Sequence, residues 1–309
     1  MNQLKVCFVG VGSIAKRHIR NLHTLCDERN INLTIDAYRR SSGKIDGVDT
    51  VYCSLEDVPN HYDAIFITNP TDMHISSLKQ FHEKGMNFFV EKPVVSLSHA
   101  DEAKAFVTRN KSVYYVACPL RYNAVIQFIK KNINPDDVIS VRSISSSYLP
   151  DWRPGQDYRE TYSAHKDMGG GVSIDLIHEW DYISYLFGFP QKIYSMIGKK
   201  SRLEIDSEDY AIYIAEYSDK IVELHLDYFG RKTIREIQLF TKEDTIKGDI
   251  ANNKLTFLRT GIKIDFHEER DDYQKRELKH FLNMVDGIDE VEDGFHHAIR
   301  VLDFTQGRI

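Results

Sequence analysis

Short apolar runs alternate with longer amphipathic stretches over the N-terminal part of the chain. KVCFVG (5–10), LTIDAY (33–38), DTVYCS (49–54), DAIFIT (63–68), NFFVEK (87–92) and SVYYVACP (112–119) carry the β-branched and aromatic residues of strands. Between them, SIAKRHIRNLHTLC (13–26), HISSLKQFHEKG (74–85) and SHADEAKAFVTRN (98–110) place apolar residues at helical spacing. Strands alternating with helices predict a parallel sheet covered on both faces, a doubly wound Rossmann domain over 1–122. Past residue 122 the pattern changes. A helix at AVIQFIKKNI (124–133), a strand at 137–149, a long polar loop and a helix at GVSIDLIHEWDYISYLFG (171–188) lead into successive strands joined by short turns. Val222, Leu224, Leu226 and Tyr228 alternate there with Glu223, His225 and Asp227, so one face is buried and the other is polar or covered by another subunit. This predicts a second domain, 123–309, of α+β class with an open, largely antiparallel sheet. Helices at 272–287 and 294–307 finish it.

Composition narrows the function classes. The chain is 42% apolar and 28% charged, values of a globular protein. A net charge of −6 argues against a general nucleic-acid partner, which would need a basic footprint. No run approaches the ~20 apolar residues that cross a bilayer, so no membrane is expected. Cys7, Cys26, Cys53 and Cys118 lie far apart, without the pairing of a disulfide framework or a zinc ribbon. Free thiols, no resident metal and a cytoplasmic location are the expectation.

The first strand-to-helix turn reads Gly10-Val11-Gly12-Ser13-Ile14-Ala15. Such a turn lets bare backbone approach a pyrophosphate at a helix N-terminus. The tip of the second strand, Tyr38-Arg39-Arg40-Ser41, offers guanidinium groups where a carboxylate would select NAD. Their donor fork suits a 2′-phosphate, which favours NADP over NAD. If both arginines are only solvated, Asp36 would serve NAD instead. Asn69-Pro70 ends the fourth strand, and His74 on the following helix either touches the cofactor or caps and packs. The run NFFV ends in Glu91-Lys92-Pro93. A proline there keeps Lys92 out of helical backbone angles, so its ammonium projects from a strand end, where open parallel sheets bind ligands.

GVGSIA, TNPTDMH, VEKPV and GGGVSIDLIHEWDY, in this order, resemble the Gfo/Idh/MocA family of NAD(P)-dependent sugar and polyol oxidoreductases over nearly the whole chain. The resemblance implies that Lys92 lies between nicotinamide and substrate, positioned by Glu91 and Pro93, and gives catalytic roles to Asp175 and His178. DLIH separates the last two by three residues where many members have four, and i+3 still returns to the same helical face. Either His178 or Glu179 then takes the histidine's place, and imidazole, which titrates near neutrality, points to His178. Arg121-Tyr122 resembles the family's R-F/Y hinge element, which implies a substrate contact by Arg121, although Cys118-Pro119 before it departs from the family's usual tyrosine and asparagine. The loop 148–171 is rich in Tyr, Trp and Arg, and Trp152, Arg153, Tyr158 and Tyr162 are expected to line a pocket for a sugar bearing a carboxylate, phosphate or nucleotide. The expected activity is hydride transfer between NAD(P) and a sugar alcohol or ketone. An NAD-dependent glycosidase and a non-catalytic sensor are the alternatives. A homodimer or homotetramer through the C-terminal sheet is expected by analogy.

Overall fold

The computed structural model describes residues 1–109 and 111–308. They fall into two compact units: Met1–Ala117 with Arg270–Ile299, and Cys118–Glu269 with Arg300–Ile309. The first unit contains β1 (Gln3–Val9), α1 (Ser13–Arg29), β2 (Asn32–Tyr38), β3 (Thr50–Tyr52), β4 (Tyr62–Ile67), α2 (His74–Phe81), β5 (Gly85–Val90), α3 (Ala100–Lys104) and β6 (Tyr114–Val116). The strands pair in parallel in the order β3-β2-β1-β4-β5-β6. Strand order reverses direction between β1 and β4, the place where such sheets bind dinucleotides. Phe8, Phe66 and Phe89 lie in register on β1, β4 and β5 and stack at 4.6 and 5.0 Å, forming an aromatic rib through the core. The helix expected over 98–110 is shorter. A 3₁₀ turn at Leu97–His99 precedes α3, and regular helix ends at Lys104. Phe106 turns its ring against His82 and Phe295 instead of continuing the helix, and Asn110 lies outside the described residues.

The second unit contains α4 (Ala124–Asn132), β7 (Val138–Tyr148), α5 (Val172–Asp175), α6 (His178–Phe187), β8 (Lys192–Gly198), β9 (Tyr210–Glu216), β10 (Ile221–Asp227), β11 (Phe229–Thr241), β12 (Thr245–Asp249), β13 (Lys254–Phe257) and β14 (Lys263–Asp265). Asn123 caps α4 by accepting from the Val125 N–H at 3.0 Å. The sheet runs β14-β13-β12-β11-β7-β10-β9-β8. It is antiparallel except where β7 and β10 pair in parallel, so β7 separates β10 from β11 and the strands after α6 are not a simple meander. Val222, Leu224 and Leu226 are buried, as the alternation predicts. The opposite face leaves Tyr194, Met196 and Ile214 about half exposed.

Two C-terminal helices follow, α7 (Arg270–Val285) and α8 (Gly294–Thr305). The boundary 123–309 expected for the second domain differs from this division, because α7 returns to the first unit. Phe281 packs edge-on against Phe66 and Phe89, Tyr115 donates to Glu277 at 3.2 Å, and Arg29 donates to Asn283 at 2.7 Å. Among the described residues no helix is long and apolar enough to cross a membrane.

Candidate functional site

The carboxyl ends of β1, β2, β4 and β5 gather most of the residues singled out in the first unit. Gly10 has φ +85°, and a Cβ there would lie 2.8 Å from Asn69, so both backbone conformation and close approach require glycine. Its N–H donates to the Tyr38 carbonyl at 2.9 Å, and Thr68 Oγ1 donates to its carbonyl at 2.6 Å, locking three strand ends together. Gly12 is different. Its φ of −87° is open to any residue, and a Cβ there would meet no atom within 4 Å, so nothing in the protein's own packing explains the glycine. It caps α1 without a side-chain hydrogen bond, and the first i−4 bond inside the helix is made by Lys16. The N–H groups of Ser13, Ile14 and Ala15 therefore begin a helix with open space before them, which fits a pyrophosphate.

At the end of β2, Arg39 donates through Nε to Ser41 Oγ at 3.0 Å, and Arg40 and Ser41 are exposed. Asp36 is buried within β2 and accepts from the Tyr62 hydroxyl at 2.7 Å. Asn69 Nδ2 donates to Ser77 at 2.8 Å, and Pro70 precedes a 3₁₀ turn leading into α2. His74 is 1% exposed, with Nε2 3.0 Å from the Asn69 carbonyl and Nδ1 3.1 Å from that of Pro93. Burial lowers its pKa despite those carbonyls.

Glu91 extends the β5 ladder by donating its N–H to the Ile67 carbonyl at 2.9 Å. Its carboxylate lies 2.6 Å from His18 Nε2 and accepts the Lys92 N–H at 3.3 Å, and the Lys92–Pro93 peptide is cis. Burial pushes the Glu91 carboxyl upward, but the hydrogen bond and charge of His18 and the nearby Lys92 ammonium outweigh it and hold it below the usual range. His18 escaped the sequence reading.

In the second unit, the helix expected over 171–188 is broken at Leu176-Ile177, where 3₁₀-type bonds replace one turn. Asp175 is therefore the last residue of α5 and His178 the first of α6. Gly171, at φ +138°, brings the chain against the Glu208 carboxylate, where a Cβ would meet an oxygen at 2.1 Å. Asp175 is buried and accepts from the Tyr228 hydroxyl at 2.6 Å. Burial and then the Asp175 charge raise the phenols of both Tyr228 and Tyr162. Tyr228 was not foreseen, and nothing in DYFG distinguishes it from a core tyrosine. Trp152 packs edge-on to Tyr228 at 5.2 Å and donates to Ser147 at 2.8 Å, and the Arg153 guanidinium lies 5.5 Å from the Tyr162 ring centre. Trp152, Arg153 and Tyr158 line one small pocket with Leu149, Gln156 and Thr161. The Tyr158 hydroxyl accepts from the Glu204 N–H at 3.2 Å.

His178 is half-buried, whereas Glu179 is fully buried and accepts from Arg235 Nε at 2.8 Å. Burial raises the Glu179 carboxyl in spite of the guanidinium. Arg121, 7% exposed, forms a bidentate pair with Asp181 at 2.9 and 2.7 Å. On the loop surface, ligand atoms of His165, Asp167 and Asp206 lie within 4.8 Å of one another, a grouping the sequence reading did not single out.

Residues 4–118 match the model of an oxidoreductase family with an NAD-binding Rossmann fold, and residues 127–246 match the GFO/IDH/MocA C-terminal domain. An uncharacterised oxidoreductase of Bacillus subtilis, YrbE, is 27% identical over 193 residues, 60% of this chain but only about half (54%) of that relative's length. Among solved structures, levoglucosan dehydrogenase in complex with NADH and levoglucosan superposes with a TM-score of 0.85 at 14% identity, covering 99% of this chain and 96% of that one. UDP-N-acetylglucosamine 3-dehydrogenase GnnA from Acidithiobacillus ferrooxidans gives 0.77 at 17% identity, covering 100% and 97%. At such identities these structures establish the fold alone.

Proposed function

We propose, because the chain belongs to the GFO/IDH/MocA oxidoreductase family with its NAD-binding Rossmann fold, that it transfers a hydride between NADP and a secondary alcohol or ketone of a sugar derivative. The observation that carries the reading is the end of β5, where Lys92 leaves the sheet on the edge that also holds the open first turn of α1. The nicotinamide, when bound, supplies the hydride acceptor or donor. The chain's own residues do the rest. The backbone N–H groups of Ser13 and Ile14 take the pyrophosphate, and Gly10, Gly12, Asn69, Pro70 and His74 shape the turn around it. The Lys92 ammonium stabilises the oxygen that gains negative charge as the hydroxyl proton leaves. His178 receives that proton, and Asp175, held by Tyr228, orients the hydroxyl or the imidazole. Glu179 is occupied by Arg235, which supports His178 for the proton transfer.

Arg39 and Arg40 favour NADP, supported by the burial of Asp36 beneath Tyr62. Trp152, Arg153, Tyr158 and Tyr162 favour a sugar carrying an acidic group, consistent with the nucleotide sugar named for one structural neighbour. Arg121, its guanidinium taken by Asp181, is proposed to border that site without reading the acid. The free cysteines fit a reducing compartment such as the cytoplasm. The sheet face bearing Tyr194, Met196 and Ile214 is proposed to pair with a second copy. Ile214→Glu should then lower the mass measured by light scattering to that of a single chain, and an unchanged mass would rule that face out.

The central test is Lys92→Met. Turnover of neutral, carboxylated and nucleotide-linked sugars, followed by nicotinamide absorbance with product analysis, should fall by about 10²–10³-fold while NADP+ binding persists. A fully active variant would refute the assignment. Cleavage of a glycosidic bond without net nicotinamide change would replace the dehydrogenase with the glycosidase.

A further inference from the structure

His18 on α1 and His74 on α2 are each 1% exposed, and both bear on the element that carries Lys92. His74 grips the peptides after it, with Nδ1 3.1 Å from the Pro93 carbonyl and 3.3 Å from that of Val94. His18 grips the residue before it, with Nε2 2.6 Å from Glu91 Oε1. Glu91 Oε2 in turn accepts the Lys92 N–H at 3.3 Å. At 2.6 Å the imidazole must donate, because the other tautomer would set two lone pairs against each other. Packing alone does not call for an imidazole there. His18 lies edge-on to Phe89 at 5.0 Å and tilted to Phe66 at 6.4 Å, surroundings that a phenyl ring would fill without the cost of burying polar nitrogens.

We propose that His18 is a positioning residue for Lys92, acting through the Glu91 carboxylate and coupling α1, whose first turn is the pyrophosphate site, to the residue that carries the ammonium. The proposal rests on the reading of Lys92 as the active-site lysine. Its consequence is that occupancy of the α1 turn is felt at Lys92 before any sugar arrives. Loss of the donor frees the carboxylate to swing, which releases the Lys92 peptide. Displacements of about 1 Å at a reacting group are worth on the order of 10²-fold in rate.

The experiment reads Lys92 without turnover. Lysines are reductively ¹³C-methylated, and the Lys92 signal is identified by its loss in Lys92→Arg. In the unsubstituted protein the signal should stand apart from those of exposed lysines and shift on addition of NADP+. His18→Phe should move it toward the exposed-lysine envelope and at least halve its response to NADP+. His18→Gln, whose amide still donates near the Nε2 position, should retain most of both. Thermal melts accompany each spectrum. A lower Tm in His18→Phe with an unmoved Lys92 signal would show a merely structural histidine and overturn the proposal. Should His18→Phe fail to fold, His18→Asn, whose shorter amide falls short of Glu91, takes its place with the same expectation, and an unmoved signal there overturns the proposal equally. Failure of the unsubstituted protein to oxidise any sugar would remove the proposed activity separately, since the Lys92 signal needs no substrate.

Discussion

Replacing Arg235 by methionine tests whether Glu179 is a buried carboxylate held by its ion pair, the reading that leaves proton exchange to His178. Glu179 is 0% exposed and its partner Arg235 is 27% exposed, with 2.8 Å between Oε1 and Nε. Removing one member of a buried pair typically costs about 3–5 kcal/mol. Water reaches part of the Arg235 side chain, so the low end, ~3 kcal/mol, is expected. Glu179→Gln alone should cost about 1–1.5 kcal/mol, since an amide keeps an acceptor for the guanidinium. The double variant carries no buried charge and should lose no more than ~2 kcal/mol, leaving a coupling of roughly 2 kcal/mol. Urea unfolding followed by tryptophan emission measures this directly, because Trp152 and Trp180, the two tryptophans of the chain, both belong to the second unit. The pH dependence has a definite sign. Burial already holds the Glu179 carboxyl above its usual range, and without Arg235 it rises further. Between the unfolded chain's ordinary carboxyl, near ~4.3, and the raised folded value, the folded variant holds a proton that the unfolded chain has released. Its deficit is largest above the folded pKa of the variant and shrinks as pH falls through it. A deficit under ~1 kcal/mol, or one independent of pH, would refute the burial argument. Loss of hydride transfer in a well-folded Glu179→Gln would return Glu179 to the chemistry.

Gly12→Val should leave Tm within about 2 °C, because its Cβ meets no atom, yet weaken NADP+ by at least ~100-fold in a fluorescence titration. A large fall in Tm would mean that the space before α1 has another use. Gly10→Ala should behave in the opposite sense, losing about 1–3 kcal/mol of stability in urea through its positive φ and the approach to Asn69. Arg39→Met should weaken NADP+ by ~10–30-fold and leave NAD+ within about twofold, as calorimetry would show. Equal loss for both nucleotides would refute phosphate recognition by that side chain.

The first unit was legible in the sequence because its signals are local. Each strand is a compact apolar run, and the turn Gly10–Ala15 reads as a candidate phosphate loop from its glycine spacing together with its place between the first strand and the first helix. Lys92 stood out because a charge pair before proline has no reason to follow a buried strand. What escaped depends on partners distant in sequence. The period of 272–287 predicts an amphipathic helix but does not say that Phe281 seats on Phe66 and Phe89. The parallel pairing of β7 with β10 joins segments separated by the whole of α5, α6, β8 and β9, and turn chemistry favours neighbours in sequence. The break at Leu176-Ile177 is hidden in an unbroken apolar pattern, where both residues are buried. Arg121 was expected to face a substrate, and its bidentate partner Asp181 is visible only in the folded chain.

The return of α7 to the first unit has a consequence for biosynthesis. As the polypeptide emerges from the ribosome, β1 to β6 are all available early, but Phe281 is not. Chains that fold domain by domain during translation complete the N-terminal one first. Here the first unit must wait, with one side of its aromatic rib uncovered, until every strand of the second sheet, β7 to β14, has been synthesised.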